Sequence, residues 1–191
     1  MEKLRVLILS FLLLSTVSLF SPVVRSEEAH VQFSPLQQQI NNAQAGSIIR
    51  VAPGTYYGVT KVNKTLTLIG TDVILDANGW QVAVIISAPN VAIEGFTIQN
   101  ASRYEKGYPQ EELSELWLSM NMMGAGIYVY FGSARITQVT VRQCYAGIGF
   151  TNTYSNNRVV NCSISKNFWG IMLDHRTAKS PNNNDTGNDR A

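Results

Sequence analysis

The most constraining feature of this sequence is a stretch that occurs twice. ARITQVTVRQCYAGIGF (Ala134 to Phe150) aligns with NRVVNCSISKNFWGIML (Asn157 to Leu173) at a constant offset of about 23 residues, a period typical of stacked repeats. Within each copy, small or apolar residues alternate with polar ones, which indicates short half-buried strands. A unit this small cannot bury its apolar face alone. Successive copies should therefore stack, with equivalent strands hydrogen-bonded about 4.8 Å apart. The repeat therefore predicts an all-β fold, a right-handed parallel β-helix.

The alignment also predicts which residues stack on one another. The two copies match at six small or apolar positions: Ile136 on Val159, Val139 on Cys162, Val141 on Ile164, Gly147 on Gly170, Ile148 on Ile171 and Phe150 on Leu173. Two earlier segments, KTLTLIGTDVILDANG and NVAIEGFTIQN, repeat the pattern at about 25 residues, which places Leu66, Leu68, Gly70 and Val73 on Val91, Ile93, Gly95 and Ile98. We therefore expect about four coils with inward columns of apolar side chains.

The chain begins with the features of an export signal. Lys3 and Arg5 form a basic start, Val6 to Phe20 is apolar, and a VRS tripeptide offers a cleavage site. An uncleaved membrane anchor is the alternative, although a span usually needs about 20 apolar residues. We predict a signal peptide over residues 1–26 and a secreted protein, extracellular or periplasmic.

The β-helix domain is expected over residues 27–178 and should open with a short helix from Ser34 to Ala43. Ser34 can cap this helix, and Leu36 and Ile40 share one face with its last residue. Such a helix would cover the apolar interior and the strand edge at the start of the first coil. Residues 179–191 form a polar tail that should be disordered.

An insertion of about 101–124 separates the second and third coils. It should bulge from one corner and form a short amphipathic helix on the outer wall. The helix prediction rests on four apolar residues at helical spacing: Leu113, Leu116, Trp117 and Met120.

Composition limits the function classes. The chain has 191 residues, 45% apolar and 15% charged, with a net charge of +2, which is too small to argue for a nucleic-acid partner. Cys144 aligns with a corner and Cys162 with a core column, so a disulfide between them would need to cross roughly 15 Å of extended chain. We expect both cysteines to be free.

The segment AQAGSIIRVAPGTYYGVTKVNKTLTLIGTDVILDANG, followed by NVAIEGFTIQN and Gly-Ile-centred repeats, resembles the N-terminal part of NosD-like β-helix proteins, the carbohydrate-binding and sugar-hydrolase group. The resemblance covers about Phe33 to Leu173. It implies a carbohydrate-associated role, although the group also includes surface proteins and a periplasmic protein linked to copper-enzyme maturation. Because members of the group usually have more coils, we expect a truncated fragment without its own active site.

An enzymatic alternative is a polysaccharide hydrolase or lyase. A glycosidase needs two carboxylates facing one groove, roughly 5 to 9.5 Å apart. Asp72, Asp76 and Glu94 do not pair in one column of the alignment, and Asp174 with His175 is the best acid/base candidate. A solvated strand end is the alternative explanation of these last two residues, and the simpler one.

Sugar binding and copper delivery each have their own candidate residues. Tyr128 and Tyr130 are predicted to point outward near three aromatic residues of the insertion, Tyr104, Tyr108 and Trp117, and exposed aromatic faces suit sugar rings. Thioether sulfurs suit copper(I), and three methionines lie close together in SMNMMG. Packing of the insertion against the wall is the alternative explanation of both groups. The candidates are Tyr108, Trp117, Tyr128 and Tyr130 for sugar, and Met120, Met122, Met123 and His175 for copper.

The sequence as a whole favours a secreted binding or structural module. A polysaccharide or cell-surface glycan is the expected partner, with no nucleic acid and no membrane contact beyond the signal segment. Apart from the copper alternative, no cofactor is expected. No amphipathic helix follows Ile171 to Leu173, so the C-terminal end is expected to be open and to self-associate or dock onto another chain.

Overall fold

The computed structural model describes residues 32–103, 124–151, 153 and 156–174. These residues form a parallel β-solenoid of about four coils with a single short helix. The predicted signal peptide, the insertion helix and the polar tail lie outside the described residues. The elements are α1 (Leu36–Asn42), β1 (Ile48–Val51), β2 (Gly54–Tyr57), β3 (Thr60–Val62), β4 (Thr67–Asp76), β5 (Val82–Ile86), β6 (Val91–Gln99), β7 (Ala125–Tyr130), β8 (Ala134–Thr137), β9 (Thr140–Arg142), β10 (Ala146–Thr151), β11 (Arg158–Val160), β12 (Ser163–Ser165) and β13 (Trp169–Asp174).

Every strand pair within the described residues is parallel, and the pairs form two sheets. The larger sheet has the order β1-β4-β6-β8-β11, with β2 beside β4, β9 beside β6 and β12 beside β9. The smaller sheet has the order β13-β10-β7-β5-β3. Strands β4 and β6 each run past one corner, whereas the same path is divided into β8 and β9, and again into β11 and β12, later in the chain. We count β1–β5 as the first coil, because the short turn β1–β3 stacks directly on β4 and β5. Strands β6–β7 form the second coil, β8–β10 the third and β11–β13 the fourth.

The predicted stacking of the third and fourth coils is confirmed. Ile136 pairs with Val159 and Val141 with Ile164 in register, as the repeat alignment requires. The same offset holds in the smaller sheet, where Ile148 pairs with Ile171 and Phe150 with Leu173. Both cysteines are free, as predicted.

The predicted stacking of Val73 on Ile98 is wrong. Leu68 does pair with Ile93, but the register then shifts, and Val73 pairs with Phe96 and Leu75 with Ile98. β4 therefore has two more residues than β6 at this corner. Val73 lies four residues after Ile69, whereas their partners Phe96 and Glu94 are only two residues apart. Such a bulge bends the strand locally while pairing continues on both sides of it.

The bulge makes room for the Phe96 ring, which is buried under β4. A Cβ atom on Gly70 would lie 2.8 Å from the Cε1 atom of Phe96, closer than packed carbon atoms approach one another. Gly95, just before Phe96, has a φ angle of +81° and lies against the backbone of Gly70. Glycine at these two positions therefore allows the bulged strand and the large side chain to fit in one corner.

Residues in the left-handed backbone region mark the corners of the solenoid. One corner uses Asp72, Gly95, Gln138 and Asn161 in successive coils, with φ angles from 52° to 81°. A second corner uses Asn100, Gln143 and Lys166, with φ angles from 55° to 62°. Asn, Asp and Gly adopt this conformation at low cost and occupy four of these seven positions, whereas Gln138, Gln143 and Lys166 adopt it at a higher cost. The second corner is the one beside which a cleft forms.

Helix α1 covers the start of the first coil as predicted, but it begins two residues later than expected. Ser34 does not cap it with its side chain: the first cap position is Pro35, and the Ser34 hydroxyl instead bonds that of Thr60 at 2.7 Å. Leu36 and Ile40 are fully buried on the first coil. The side-chain amide of Gln37 bonds both the N–H and the C=O group of Lys61, at 2.7 and 3.0 Å, in place of a neighbouring strand.

The middle strands of the smaller sheet are buried on both faces. Every residue of β5, β7 and β10 is buried.

No helix among the described residues is long and apolar enough to cross a membrane.

Candidate functional site

A cleft of about 530 Å³ lies along the second corner, across the first three coils. This volume is in the range of small-molecule sites. Tyr57 and Asp76 come from the ends of β2 and β4, and the other lining residues come from the turns after β4, β6 and β9. The lining comprises Tyr57, Asp76, Asn78, Gly79, Asn100, Ala101, Ser102, Arg103, Gln143, Cys144 and Tyr145.

The carboxylate of Asp76 lies at the centre of a hydrogen-bond network in the wall of the cleft. Its Oδ1 atom accepts a hydrogen bond from the backbone N–H of Asn78 at 2.8 Å. Its Oδ2 atom accepts from Nε2 of Gln99 and Nδ2 of Asn100, both at 2.8 Å. Gln99 in turn accepts from Nε of Arg142 at 3.1 Å. The side chains therefore connect three successive coils, which fixes the wall of the cleft.

The network leaves the Asp76 carboxylate with hydrogen-bonding capacity. Two carboxylate oxygens offer about four acceptor positions, and the three bonds use three of them. One acceptor position of the carboxylate therefore has no donor among the described residues, and the Asp76 side chain is only 6% exposed.

Aromatic rings lie on both sides of this polar wall. Tyr57, in register with Asp76, is 51% exposed. On the other side, the Tyr145 hydroxyl accepts a hydrogen bond from Nη1 of Arg103 at 3.0 Å, and its ring stacks on Phe168 with centroids 5.1 Å apart. The Phe168 ring is 70% exposed. The Arg103 guanidinium also lies over the Tyr145 ring, 5.2 Å from its centroid. The cleft thus combines the rings of Tyr57 and Tyr145 with amide, carboxylate and guanidinium groups.

Cys144 contributes a buried thiol with a raised pKa to the cleft. Burial raises the pKa of the Cys144 thiol to about 11, and the nearby Asp76 carboxylate raises this pKa further. Hydrogen bonding with the backbone of Ala101 and of Asn100 lowers it, but by less. A thiol with so high a pKa is almost entirely protonated near neutral pH, and the thiolate is the form that acts as a nucleophile. The geometry therefore gives Cys144 a packing role in the cleft.

Among the described residues that line the cleft, Asp76 is the only carboxylic acid. Asp72 and Glu94 are exposed and lie away from the cleft lining. Hydrolysis by the usual glycosidase mechanism requires a second carboxylate across the bound sugar. The arrangement of these residues suits ligand binding, through stacking and hydrogen bonds.

The predicted exposure of Tyr128 and Tyr130 is wrong. The two side chains are only 3% and 6% exposed, and their rings stack on each other with centroids 5.8 Å apart. The outward prediction came from alternation along β7, which assumes that one face of the strand meets solvent. Since both faces of β7 are buried, the candidate site is built on other aromatic residues.

The remaining predicted site residues, or their side chains, lie outside the described part of the structure. Asp174 ends β13, but its side chain lies outside the described part, as does His175. Within the described residues, no group of three or more His, Cys, Asp or Glu side chains is placed to hold a metal ion. The other candidates outside the described residues are Tyr108, Trp117, Met120, Met122 and Met123.

The cleft residues carried one signal in the sequence. The offset of about 23 residues that aligns the last two coils also places Tyr145 on Phe168, and the structure stacks these two rings. Tyr57 gave no such signal, because it comes from the first coil and joins the cleft through the register of β2 with β4.

The fold and the cleft define the class of the protein: a parallel β-solenoid with a mixed aromatic and polar cleft along one corner. Comparison with known protein-family models, curated proteins and solved structures gave no match.

Proposed function

We propose that this protein is an exported β-solenoid that binds polysaccharide in the cleft at its second corner. The observation that carries the proposal is the placement of the exposed Tyr57 ring and the Tyr145–Phe168 stack on either side of Asp76 and its hydrogen-bond donors. Sugar rings present an apolar face that stacks on aromatic rings, and hydroxyl groups that bond carboxylates and amides. The resemblance to carbohydrate-associated β-helix proteins and the signal-like N-terminus support the same function.

The wall of the cleft is ordered before a ligand arrives. Asp76 is held by three donors, and the guanidinium of Arg103 is held against the Tyr145 hydroxyl. A preordered site loses less conformational entropy when it binds than a flexible one. A repeating polymer also suits a cleft that runs across three coils.

Retention in native gels that contain soluble xylan, glucan, mannan or pectin tests the proposal. We expect at least one of these polysaccharides to slow the protein, and Tyr57→Ala to weaken the apparent affinity about tenfold through loss of one stacked ring. Phe131→Ala is the control, because Phe131 is a similarly exposed aromatic residue, 41% against 51%, that does not line the cleft. No retention by any polysaccharide, or equal weakening by both variants, would refute the proposal.

A hydrolase or lyase activity is the alternative function, and the same samples test it. Incubation of the retained polysaccharide with the protein, followed by analysis of chain length, distinguishes binding from cleavage. New reducing ends that disappear in Asp76→Asn would favour the enzyme, whereas an intact polymer supports a binding protein.

A further inference from the structure

The last coil exposes residues whose equivalents in the previous coil are buried. Ile148 and Phe150 in β10 are 0% and 6% exposed, whereas their register partners Ile171 and Leu173 in β13 are 49% and 81% exposed. In the larger sheet, Val159 and Ile164 are half-buried, but their partners in the third coil are fully buried. The fourth coil is therefore an apolar end that nothing among the described residues covers.

The backbone at this end is also open. In the described part of the chain, β11, β12 and β13 pair on one side only, with β8, β9 and β10. The other edge of each strand presents N–H and C=O groups that another strand can bond. The surface at this end thus fits a partner that brings both a strand and apolar side chains.

The opposite end of the solenoid is covered at β3. Leu36 and Ile40 of α1 cover the first coil, Gln37 bonds the free edge of β3, and Phe33 forms a parallel bridge with Val59. Head-to-tail stacking of two copies would require α1 to move away from β3, although β1 and β2 at this end each pair with β4 alone among the described strands. At the C-terminal end, within the same described residues, the outer edges of β11, β12 and β13 are all open, so this end is the simpler place for two copies to pair.

The exposed side chains of β13 are arranged symmetrically about Ile171. Trp169, Ile171 and Leu173 occupy alternate positions and are 49%, 49% and 81% exposed. If two β13 strands pair antiparallel with Ile171 opposite Ile171, Trp169 of each copy lies opposite Leu173 of the other. The strand is then complementary to itself, as a two-fold interface requires.

We propose that a second copy of this chain docks on the last coil, with the two β13 strands paired antiparallel about a two-fold axis at Ile171. Residues 175–191 are a poor alternative, because they contain no Val, Leu, Ile, Met, Phe, Tyr or Trp. This inference rests on the end of the solenoid and not on the cleft, although the Trp169 ring of the interface contacts Phe168 beside the cleft, with ring centroids 5.3 Å apart.

Sedimentation of the purified full chain over a range of concentrations tests the proposal. We expect a monomer–dimer equilibrium, and Ile171→Lys should weaken dimerisation at least about 100-fold, because it places two like charges opposite each other in an apolar interface. Leu173→Lys, at a position that is already 81% exposed, should also weaken it. The control is Ile48→Lys, at a residue that is 61% exposed in the first coil, and it should leave the dimer unchanged.

A crosslink tests the register directly. Ile171→Cys, combined with Cys162→Ser, should form a disulfide-linked dimer on mild oxidation, whereas Ile48→Cys in the same background should not. A monomer at every concentration would overturn the proposal, as would a dimer that Ile171→Lys and Leu173→Lys leave intact. A monomer with β13 amides protected from hydrogen exchange would show that the chain's own residues cover the end.

Discussion

Asp76 accepts a hydrogen bond of 2.8 Å from Nε2 of Gln99, the residue beside it in register on the neighbouring strand. The bond connects two coils through their side chains as well as through their backbones. Since Asn100 and the backbone of Asn78 donate to the same carboxylate, this buried residue both supports the corner and shapes the cleft. Its replacement should therefore affect stability as well as binding.

Asp76→Asn is expected to destabilise the protein by about 1–3 kcal/mol, because an amide NH₂ group would face donors that now bond a carboxylate oxygen, leaving at least one buried donor unpaired. Chemical denaturation measures this change. Asp72→Asn is the control: Asp72 is exposed, and Asn tolerates its positive φ angle of 56°. Equal stability of the two variants would show that the hydrogen bonds to Asp76 contribute little to the fold.

The columns of the solenoid could be predicted because they repeat a simple pattern. Ile136 and Val159 lie at equivalent positions of two strands that alternate in polarity, and the structure pairs them. The stacking of Val73 could not be predicted, because the two extra residues at the corner lie between segments that otherwise match. A bulge changes the register without changing the pattern on either side of it.

The candidate site was harder to predict than the fold. Tyr57 and Arg103 are far apart in sequence and line one cleft only because three coils stack in register. Tyr128 illustrates the converse, since alternation along its strand indicates two faces but not whether the outer one meets solvent. Periodicity thus predicts which residues share a face, whereas exposure depends on what else packs there.

Gly70→Ala is expected to destabilise the protein by about 1–3 kcal/mol, because the added methyl group would overlap the ring of Phe96 in a closely packed corner. A double-mutant cycle with Phe96→Leu identifies the cause. If the clash with the ring is responsible, Gly70→Ala should cost much less in the Phe96→Leu background. An equal cost in both backgrounds would mean that the backbone at Gly70, not the ring, limits the substitution.

The two cysteines should differ in their rates of alkylation. With a pKa of about 11, only about one Cys144 thiol in 1,000 is ionised at pH 8. Half-buried Cys162 should therefore react with iodoacetamide at least about tenfold faster in the native protein, as mass spectrometry of the labelled peptides would show. Equal rates would contradict the burial of Cys144, and denaturation of the protein should make them similar.

The raised pKa of the Cys144 thiol also predicts how the free energy of unfolding depends on pH. This pKa is raised from 9.0 to about 11 in the folded protein, so the unfolded chain loses the proton first as the pH rises. The contribution to the free energy of unfolding is constant below about pH 9 and then falls by up to about 1.4 kcal/mol per pH unit until about pH 11. Cys144→Ser should remove this part of the decrease in alkaline denaturation curves, and an unchanged slope would argue against it.

Gln37→Ala should destabilise the N-terminal end of the solenoid by about 1–2 kcal/mol, because the N–H and C=O groups of Lys61 would lose their side-chain partner. Gln37→Glu should cost less, since its carboxylate still accepts from the N–H group. Gln38→Ala, on the exposed side of the same helix, is the control and should change stability by less than about 0.5 kcal/mol. Hydrogen exchange should show the loss of protection first in β3. If Gln37→Ala and Gln38→Ala have the same effect, the helix covers the first coil by apolar contact alone.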